Sequence, residues 1–454
     1  MFPQTNEPRV YHTPSGPGVA AAGKQALRWK IHAAHRRGLG ALVCVIGATL
    51  LALAGPLAAT VPAQAAQTPP PLPAPSSNVT VVASGLENPR GLKFGPDGAL
   101  YVAEGGHGGT TSTVGQCEQV PGGAASVGPY TGSTTGSRIS RIAPDGTRTT
   151  VVDNIPSSQT NAASGGLTSG VTDMDWVGGT LYGLMAGSGC SHAVANIPNG
   201  VIKANSDGTW SLIADLSAFQ MSHPVAHPET DDFEPDGSWY SMIAVNGDLY
   251  AIEPNHGELD KITTSGQISR VVDISASQGH QVPTAMVFHD GNFYIGNLFH
   301  FPIQPGSSRI FKVTPDGQVS IFATGLTTVL GVAFDSQGRL YATEMSTAAG
   351  MPTPGTGKVV RLGAGGQWET VASGLTFPTA MTFGPDGQLY LSHIGLGLPP
   401  GMGQIVRVAL PGSTPPGMPT TGNAPGWPPV LLILGLILVL SGGWLYRANA
   451  RPAG

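Results

Sequence analysis

A pattern of alternating apolar and polar residues, interrupted by tight turns, recurs six times along the chain. Residues 89–104 and 378–393 are two of the fullest copies, and each carries a Gly-Pro-Asp-Gly turn between two short runs. Runs rich in Val, Ile, Tyr and Phe between Gly/Pro turns are typical of β-strands. Pro and Gly supply the backbone angles that such turns need. The pattern predicts repeated units of four antiparallel strands.

A Leu-Tyr or Phe-Tyr pair marks the second strand of each copy. The intervals between successive pairs are 81, 68, 44, 47 and 49 residues, with the pairs beginning at Leu100, Leu181, Leu249, Phe293, Leu340 and Leu389. Short-strand repeats of about 40–50 residues point to propeller blades. We therefore predict an all-β fold, a six-bladed β-propeller over residues 79–410.

The last copy has no fourth strand of its own. Its third strand is predicted at 404–408, and a further strand-like run lies at the opposite end, at 79–83. Pairing of these N- and C-terminal strands would close the ring and remove an open sheet edge. We expect the sixth blade to be shared in this way.

The N-terminal residues 1–66 read as a signal segment with a long basic n-region. An apolar run at 38–54 is followed by Ala63-Gln64-Ala65, an A-x-A cleavage pattern. An uncleaved membrane anchor is the alternative. Residues 67–78 then form a linker to the propeller.

The C-terminal end has three parts. Residues 411–426 are a Pro/Gly-rich linker, 427–446 are a mostly apolar stretch long enough for a transmembrane helix, and 447–454 are a basic cytoplasmic tail. The linker contains Met418-Pro419-Thr420-Thr421-Gly422, which resembles the sortase signal LPxTG with Met in place of Leu. Attachment to the cell wall by a sortase and retention as a single membrane span both remain open. Either places the propeller outside the cell, anchored to its surface.

Removing both ends changes the charge balance. Residues 67–421 contain 14 Lys and Arg against 26 Asp and Glu, a net charge of −12, whereas the whole chain has −5. An acidic ectodomain is a poor partner for nucleic acid. Of three cysteines, Cys44 lies in the signal segment. An oxidising compartment favours a disulfide between Cys117 and Cys190, with two free thiols as the alternative.

One end of the propeller is predicted to carry nearly all the irregular sequence. We call it the insertion face: it holds the loops between second and third strands and the links between blades. Long insertions fall there, at 105–136, 154–170, 186–199, 217–238, 298–306 and 345–356, with eight of the nine histidines beyond residue 66. Function concentrates in loops on a rigid scaffold, so we expect a small-molecule or protein ligand on this face.

Polar side chains close most of the second strands. These strand-ending positions are Glu104, Met185, Glu253, Asn297, Glu344 and His393. Two loop clusters add Asn255 and His256 after Glu253, and His223 with His227. Carboxylate and amide oxygens suit Ca²⁺, and histidines with carboxylates suit other divalent cations. The alternative is that these groups cap strands and hold loops. No catalytic residue is assigned, since no H-E-x-x-H or G-x-S-x-G motif is present.

Four stretches resemble the ScyD/ScyE-like family of secreted bacterial β-propellers with NHL/SMP-30-like repeats. They are 81–104, 234–262, 280–302 and 357–392. The characteristic segments are Glu234-Pro235-Asp236-Gly237, Glu253-Pro254-Asn255-His256-Gly257-Glu258-Leu259 and His280-Gln281-Val282-Pro283-Thr284-Ala285. The resemblance covers the propeller and neither tail. It implies the fold and export, and it implies no established chemistry.

Whether the protein is an enzyme is left open by the sequence. One interpretation is a surface-anchored propeller that binds a ligand or partner as a scaffold. The alternative is a divalent-metal-dependent hydrolase or lactonase like the SMP-30/gluconolactonase group, in which a cation polarises a carbonyl or activates water. A quinone-dependent sugar dehydrogenase is a third idea, for which no cofactor motif is visible.

Overall fold

The computed structural model of the protein describes residues 71–123, 126–162, 166–231 and 233–410. The signal segment 1–66, the sortase-like motif, the predicted helix 427–446 and the tail 447–454 lie outside these residues. Within the described ranges, no helix has both the length and the apolar character needed to cross a bilayer.

The described residues form short strands in quick succession, with two short helices. In chain order they are β1 (Val79–Leu86), β2 (Pro89–Phe94), β3 (Leu100–Glu104), β4 (Gly122–Gly123), β5 (Ser126–Val127), β6 (Thr131–Ile142), β7 (Arg148–Gln159), β8 (Thr168–Ser169), β9 (Val171–Val177), β10 (Thr180–Met185), β11 (Gly200–Ala204), β12 (Trp210–Asp215), α1 (Leu216–Ser222), β13 (Ser241–Val245), β14 (Asp248–Glu253), β15 (Glu258–Ile262), β16 (Ile268–Asp273), α2 (Ile274–Gln278), β17 (Pro283–His289), β18 (Asn292–Asn297), β19 (Ser308–Val313), β20 (Val319–Leu326), β21 (Val329–Phe334), β22 (Leu340–Glu344), β23 (Gly357–Leu362), β24 (Trp368–Leu375), β25 (Ala380–Phe383), β26 (Leu389–His393) and β27 (Gly403–Val408).

The strands form six blades. Their strand orders are β2-β3-β6-β7-β8, β9 to β12, β13 to β16, β17 to β20, β21 to β24, and β25-β26-β27-β1. The first strands of consecutive blades contact each other, and β25 of the sixth blade contacts β2 of the first. The predicted all-β, six-bladed propeller is confirmed by this arrangement.

The sixth blade contains strands from both ends of the propeller. β1 pairs antiparallel with β27, with Val79 opposite Val408 and Val81 opposite Val406. The register shifts after Val81 and again before Leu86. These bulges let β1 follow the twist of an outer strand.

A recurrent Gly-Leu pair ends three of the outer strands and anchors them in the core between blades. Leu86, Leu326 and Leu375 are each at most 1% exposed. The preceding glycines have φ of +77°, +82° and +76°. Only glycine adopts such angles without steric cost, and the resulting bend turns each leucine inward.

The structure differs from the sequence prediction in blade one. The apolar–polar alternation of the sequence covers 137–142 and 149–152 and predicts the third and fourth strands there, but β6 and β7 are each 12 residues long. Their extensions pair with each other, with Thr131 opposite Gln159. These Gly/Ser/Thr-rich segments lack an apolar alternation, so only their mutual pairing makes them strands.

Two short helices follow the outer strands of blades two and three. Asp215 accepts a hydrogen bond from the Ala218 N–H at 2.8 Å, and Asp273 accepts one from Ala276 at 3.0 Å. Both are N-caps. The sequence prediction did not include these helices, although Asp-Leu-Ser-Ala and Asp-Ile-Ser-Ala carry a recognisable cap signal.

The predicted disulfide is present. Cys117 and Cys190 are joined with an S–S distance of 2.04 Å. It links the long loop after β3 in blade one to the loop after β10 in blade two. Two insertions of adjacent blades are therefore tied together on the insertion face.

Candidate functional site on the insertion face

The polar side chains that end the second strands lie buried at the base of the insertion face. Glu104, Glu253, Asn297, Glu344 and His393 are each at most 5% exposed. Each forms a hydrogen bond with the backbone of the link that precedes the first strand of its own blade. Four accept from a backbone N–H, those of Glu87, Ser238, Thr327 and Thr376. Asn297 instead donates to the carbonyl oxygen of Gln281. These five predicted residues therefore lie in five separate blades, each holding a link in place. Met185 packs in the core between blades.

Glu104 makes the densest set of these contacts. Arg148 Nη2 lies 2.6 and 2.7 Å from its two carboxylate oxygens, and Arg138 Nε donates at 3.2 Å. The Ser140 hydroxyl is a further donor. Both oxygens are thus occupied by charge-assisted hydrogen bonds from the same blade.

Glu344 is paired less completely. Its Oε1 accepts from the Thr327 N–H at 2.7 Å, and its Oε2 lies 3.1 Å from Lys358 Nζ. Burial raises the pKa of Glu344, and the Lys358 charge offsets only part of this effect. His393 is held by the Thr376 N–H and by Gln404, and burial lowers its pKa.

Glu253 and His256 form a buried acid–base pair in blade three. Glu253 Oε1 accepts from Ser238 N–H at 2.7 Å, and Oε2 lies 3.2 Å from His256 Nδ1. Burial alone would lower the pKa of His256, but the charge and hydrogen bond of Glu253, together with the charges of Glu258 and Glu234, outweigh burial and raise the pKa. The pKa of Glu253 is lowered, because His256 and two backbone donors outweigh its burial. The pair therefore favours an ionised carboxylate beside a protonated imidazole.

Two more buried carboxylates follow on β15. Glu258 accepts from Arg270 Nε through Oε2, while its Oε1 and both oxygens of Asp260 have no hydrogen-bond partner among the described residues. The Trp239 side chain is the neighbouring donor that acts to lower the pKa of Asp260, against the larger effects of burial and of the Glu258 charge. Burial raises the pKa of Glu258 to about 7 and that of Asp260 well above its usual range.

A third group joins the loops of blades one and two to the link before blade three. Tyr130 donates from its hydroxyl to Glu234 Oε1 at 2.9 Å, and His192 Nε2 lies 3.3 Å from Glu234 Oε2. The Tyr130 and His192 rings are 4.4 Å apart, and His192 is fully buried. The charge of Glu234 also acts on His256. The buried polar groups therefore extend across three neighbouring blades.

The loop from 223 to 231 lies beside this buried region. The Glu229 N–H donates to the Asn255 carbonyl oxygen at 2.7 Å, which brings the two predicted loop clusters together. Glu229 Oε2 lies 2.7 Å from His280 Nε2 and 3.8 Å from His300 Nδ1. The contact with His280 lowers the pKa of Glu229 to about 2.

The two predicted histidines of that loop make other contacts. His223 stacks on Phe219 of α1 with ring centroids 4.3 Å apart. His227 donates its backbone N–H to Ser275 Oγ at 3.0 Å. Both side chains are exposed. The sequence prediction placed Glu229, His280 and His300 on this face, but it did not group them, because they lie up to 71 positions apart in the chain.

The first strands surround a narrow central cavity. It has a volume of about 50 Å³ and is lined by residues such as Lys93, Asp173 and Tyr240, so it holds only a few water molecules. Lys93 Nζ lies 3.0 Å from Asp175 and 3.7 Å from Asp173. Burial raises the pKa of Tyr240 to about 12, so its phenol stays neutral. The sequence analysis did not predict this polar central cavity.

Comparison with solved structures finds propellers of several activities at low similarity. A protein of unknown function from Bacteroides thetaiotaomicron is 11% identical, with 74% of this chain and 76% of that chain covered and a TM-score of 0.46. A gluconolactonase from Xanthomonas campestris is 11% identical over 73% and 89%, at 0.44. Virginiamycin B lyase from Staphylococcus aureus is 14% identical over 74% and 100%, at 0.40. No family model and no curated protein matches the sequence. The propeller assignment therefore rests on the sheet topology itself.

Proposed function

We propose that this protein is an exported, surface-anchored β-propeller that binds a ligand or partner on its insertion face. The observation that carries the proposal is the asymmetry between the two ends of the blades. The turns at one end are short, as in the Gly95–Ala99 and Gly384–Gln388 connections. The other end carries the long loops, the disulfide and the buried polar groups. A rigid ring that presents loops on one side is suited to recognition.

Exposed apolar side chains support the same face. Five exposed apolar side chains belong to an insertion or to the loop between second and third strands: Val114, Met221, Phe301, Met351 and Met402, which are 42–71% exposed. Exposed apolar groups in binding loops contribute to contacts with a partner, and flexible methionines adapt to several shapes. The proposal therefore expects a partner contact with an apolar part.

The anchoring belongs to the same proposal. The sequence alone supports export by the signal segment and attachment to the cell wall or membrane through the Met418–Gly422 motif or the apolar stretch. It also disfavours a nucleic-acid partner. We also take the β1–β27 pairing as what closes the ring. A closed ring resists unfolding from a free edge, which suits a domain exposed outside the cell.

The test uses two matched sets of substitutions in the purified protein. Met221→Ser, Phe301→Ser and Met351→Ser alter the insertion face, whereas Leu212→Ser and Ile321→Ser alter exposed apolar residues of outer strands. Cells of the producing organism that lack the gene for this protein are incubated with each variant, and the amount of bound protein is measured for both sets. We expect the first set to lose binding and the second to retain it. Equal binding by both sets would refute the proposal.

A metal-dependent hydrolase of the lactonase type is the second proposal. The observation that favours it is the Glu253–His256 pair, which lies beside Asn255 at the end of β14. Its test is hydrolysis of simple lactones with and without Ca²⁺ or another divalent cation. Turnover that disappears in Glu253→Gln would support this function, and no turnover under any of these conditions would count against it.

A further inference from the structure

Glu229, His280 and His300 come from three separate connections of the fold. Glu229 lies in the link between β12 and β13, His280 in the link between α2 and β17, and His300 in the loop between β18 and β19. One ligand-type atom from each lies within 4.8 Å of the other two. The imidazole rings of His280 and His300 are 5.1 Å apart. Blades two, three and four thus meet at three side chains that can all bind a cation.

The contacts around Glu229 leave one oxygen directed at the histidines. Its Oε1 accepts from the N–H groups of Thr230 and Asp231 at 3.0 and 3.2 Å. The opposite oxygen, Oε2, is the atom near both imidazoles. Outer hydrogen bonds of this kind fix the orientation of a metal-binding carboxylate.

His280 provides a second observation. Both of its ring nitrogens are buried and have no hydrogen-bond partner among the described residues. Nε2 is 2.7 Å from Glu229 Oε2, and this contact lowers the pKa of Glu229. The same two atoms can bind a shared cation in place of the proton between them, because metal ligands bind in their deprotonated form.

We propose that Glu229, His280 and His300 form a binding site for a transition-metal dication, with Zn²⁺ as the best-fitting ion. Two imidazole nitrogens and one carboxylate oxygen suit zinc and its neighbours better than Ca²⁺ or Mg²⁺, which prefer all-oxygen sets. In a tetrahedral site with ligands at about 2.1 Å, the ligand atoms lie about 3.4 Å apart. The observed 2.7 and 3.8 Å separations reach that value with sub-ångström shifts.

The site has the access that metal binding needs. The side chains are partly exposed, by 20% for Glu229, 11% for His280 and 38% for His300. An ion can therefore enter from the insertion face, and the fourth position can hold water. This inference goes beyond the proposed function, because a metal that ties three connections together would be bound whether or not a partner is present.

The experiment measures Zn²⁺ binding to the purified full chain without a polyhistidine tag. After treatment with a chelator, Zn²⁺ is titrated by calorimetry, and Co²⁺ is added separately to record its visible absorption. We expect one equivalent of Zn²⁺ to bind. His280→Ala and His300→Ala should each weaken it by more than about 100-fold, since even outer-shell changes cost 10–100-fold.

His107→Ala is the matched control, because His107 lies 3.7 Å from Glu87 on the same face and belongs to no group of three metal-ligand side chains among the described residues. It should bind Zn²⁺ as the unaltered protein does. Circular dichroism and the Tm of each chelated variant verify folding, and His300→Asp, which restores an oxygen ligand, should recover part of the affinity. Absence of stoichiometric Zn²⁺ binding, or equal affinity in His280→Ala, His300→Ala and His107→Ala, would overturn the inference.

Discussion

The buried carboxylates of β15 should make the propeller less stable as the pH rises from acid to neutral. Glu258 is fully buried, and its pKa is raised from 4.5 to about 7. The folded state therefore holds its proton more tightly than the unfolded state does. Stability from this group is complete below about pH 4.5 and is lost as pH rises through about 7. At about 1.4 kcal/mol per unit, Glu258 accounts for about 3 kcal/mol over this window.

Glu258→Gln tests that magnitude. The amide keeps an oxygen that can accept from Arg270 but removes the titration. We expect the unfolding free energy of the variant to depend less on pH, with the difference from the unaltered protein growing by about 3 kcal/mol between pH 4.5 and 7.5. Other groups titrate in this window, so the measured quantity is the difference between the two proteins.

The assay is urea unfolding followed by tryptophan fluorescence at several pH values, with the m-value compared to verify one transition. Glu369→Gln is the control, because Glu369 is 52% exposed and pairs with Arg361 on the surface. It should leave the pH dependence unchanged. If Glu258→Gln and the control show the same pH dependence as the unaltered protein, the reasoning about burial is wrong.

Three further predictions concern stability. Cys117→Ser with Cys190→Ser opens a bridge between residues 73 positions apart and should cost about 4 kcal/mol in urea unfolding; an unchanged midpoint would contradict this. Arg148→Ala leaves the buried carboxylate of Glu104 without its main partner and should cost about 3–5 kcal/mol of unfolding free energy. Arg361→Ala, on the surface, should cost under about 1 kcal/mol. The urea midpoints of the two variants measure the difference, and equal losses would show that burial does not matter here. Leu86→Ala removes a fully buried side chain from β1 and should cost about 2–5 kcal/mol, seen as faster unfolding in stopped-flow experiments; unfolding at the rate of the unaltered protein would show that this end of β1 is not anchored.

Much of the fold is local enough to be read from the sequence. Alternation in runs such as 100–104 and the Gly-Pro-Asp-Gly turns predicted the strands, and their spacing predicted the blades. The extended hairpin of β6 and β7 could not be read, because its Gly, Ser and Thr residues become strands only through pairing with each other. The caps Asp215 and Asp273 carried a signal that strand periodicity concealed.

The candidate site was less accessible to sequence reasoning. The residues that close the second strands were identified as polar positions, but a sequence does not say which backbone group each will bind. Glu104 and Arg148 are 44 positions apart, and neither carries a motif. Lys93 and Asp173 lie close together in the central cavity only because the propeller places β2 beside β9.

The sequence by itself determined the strand alternation, the number of blades and the concentration of loops and histidines on one face, because these depend on short-range periodicity and spacing. Only the tertiary structure decided which polar groups meet. Glu229, His280 and His300 converge because adjacent blades of the propeller bring their connections together. Burial in the tertiary structure also raises the pKa of Glu258 and of Asp260, which no feature of the sequence shows.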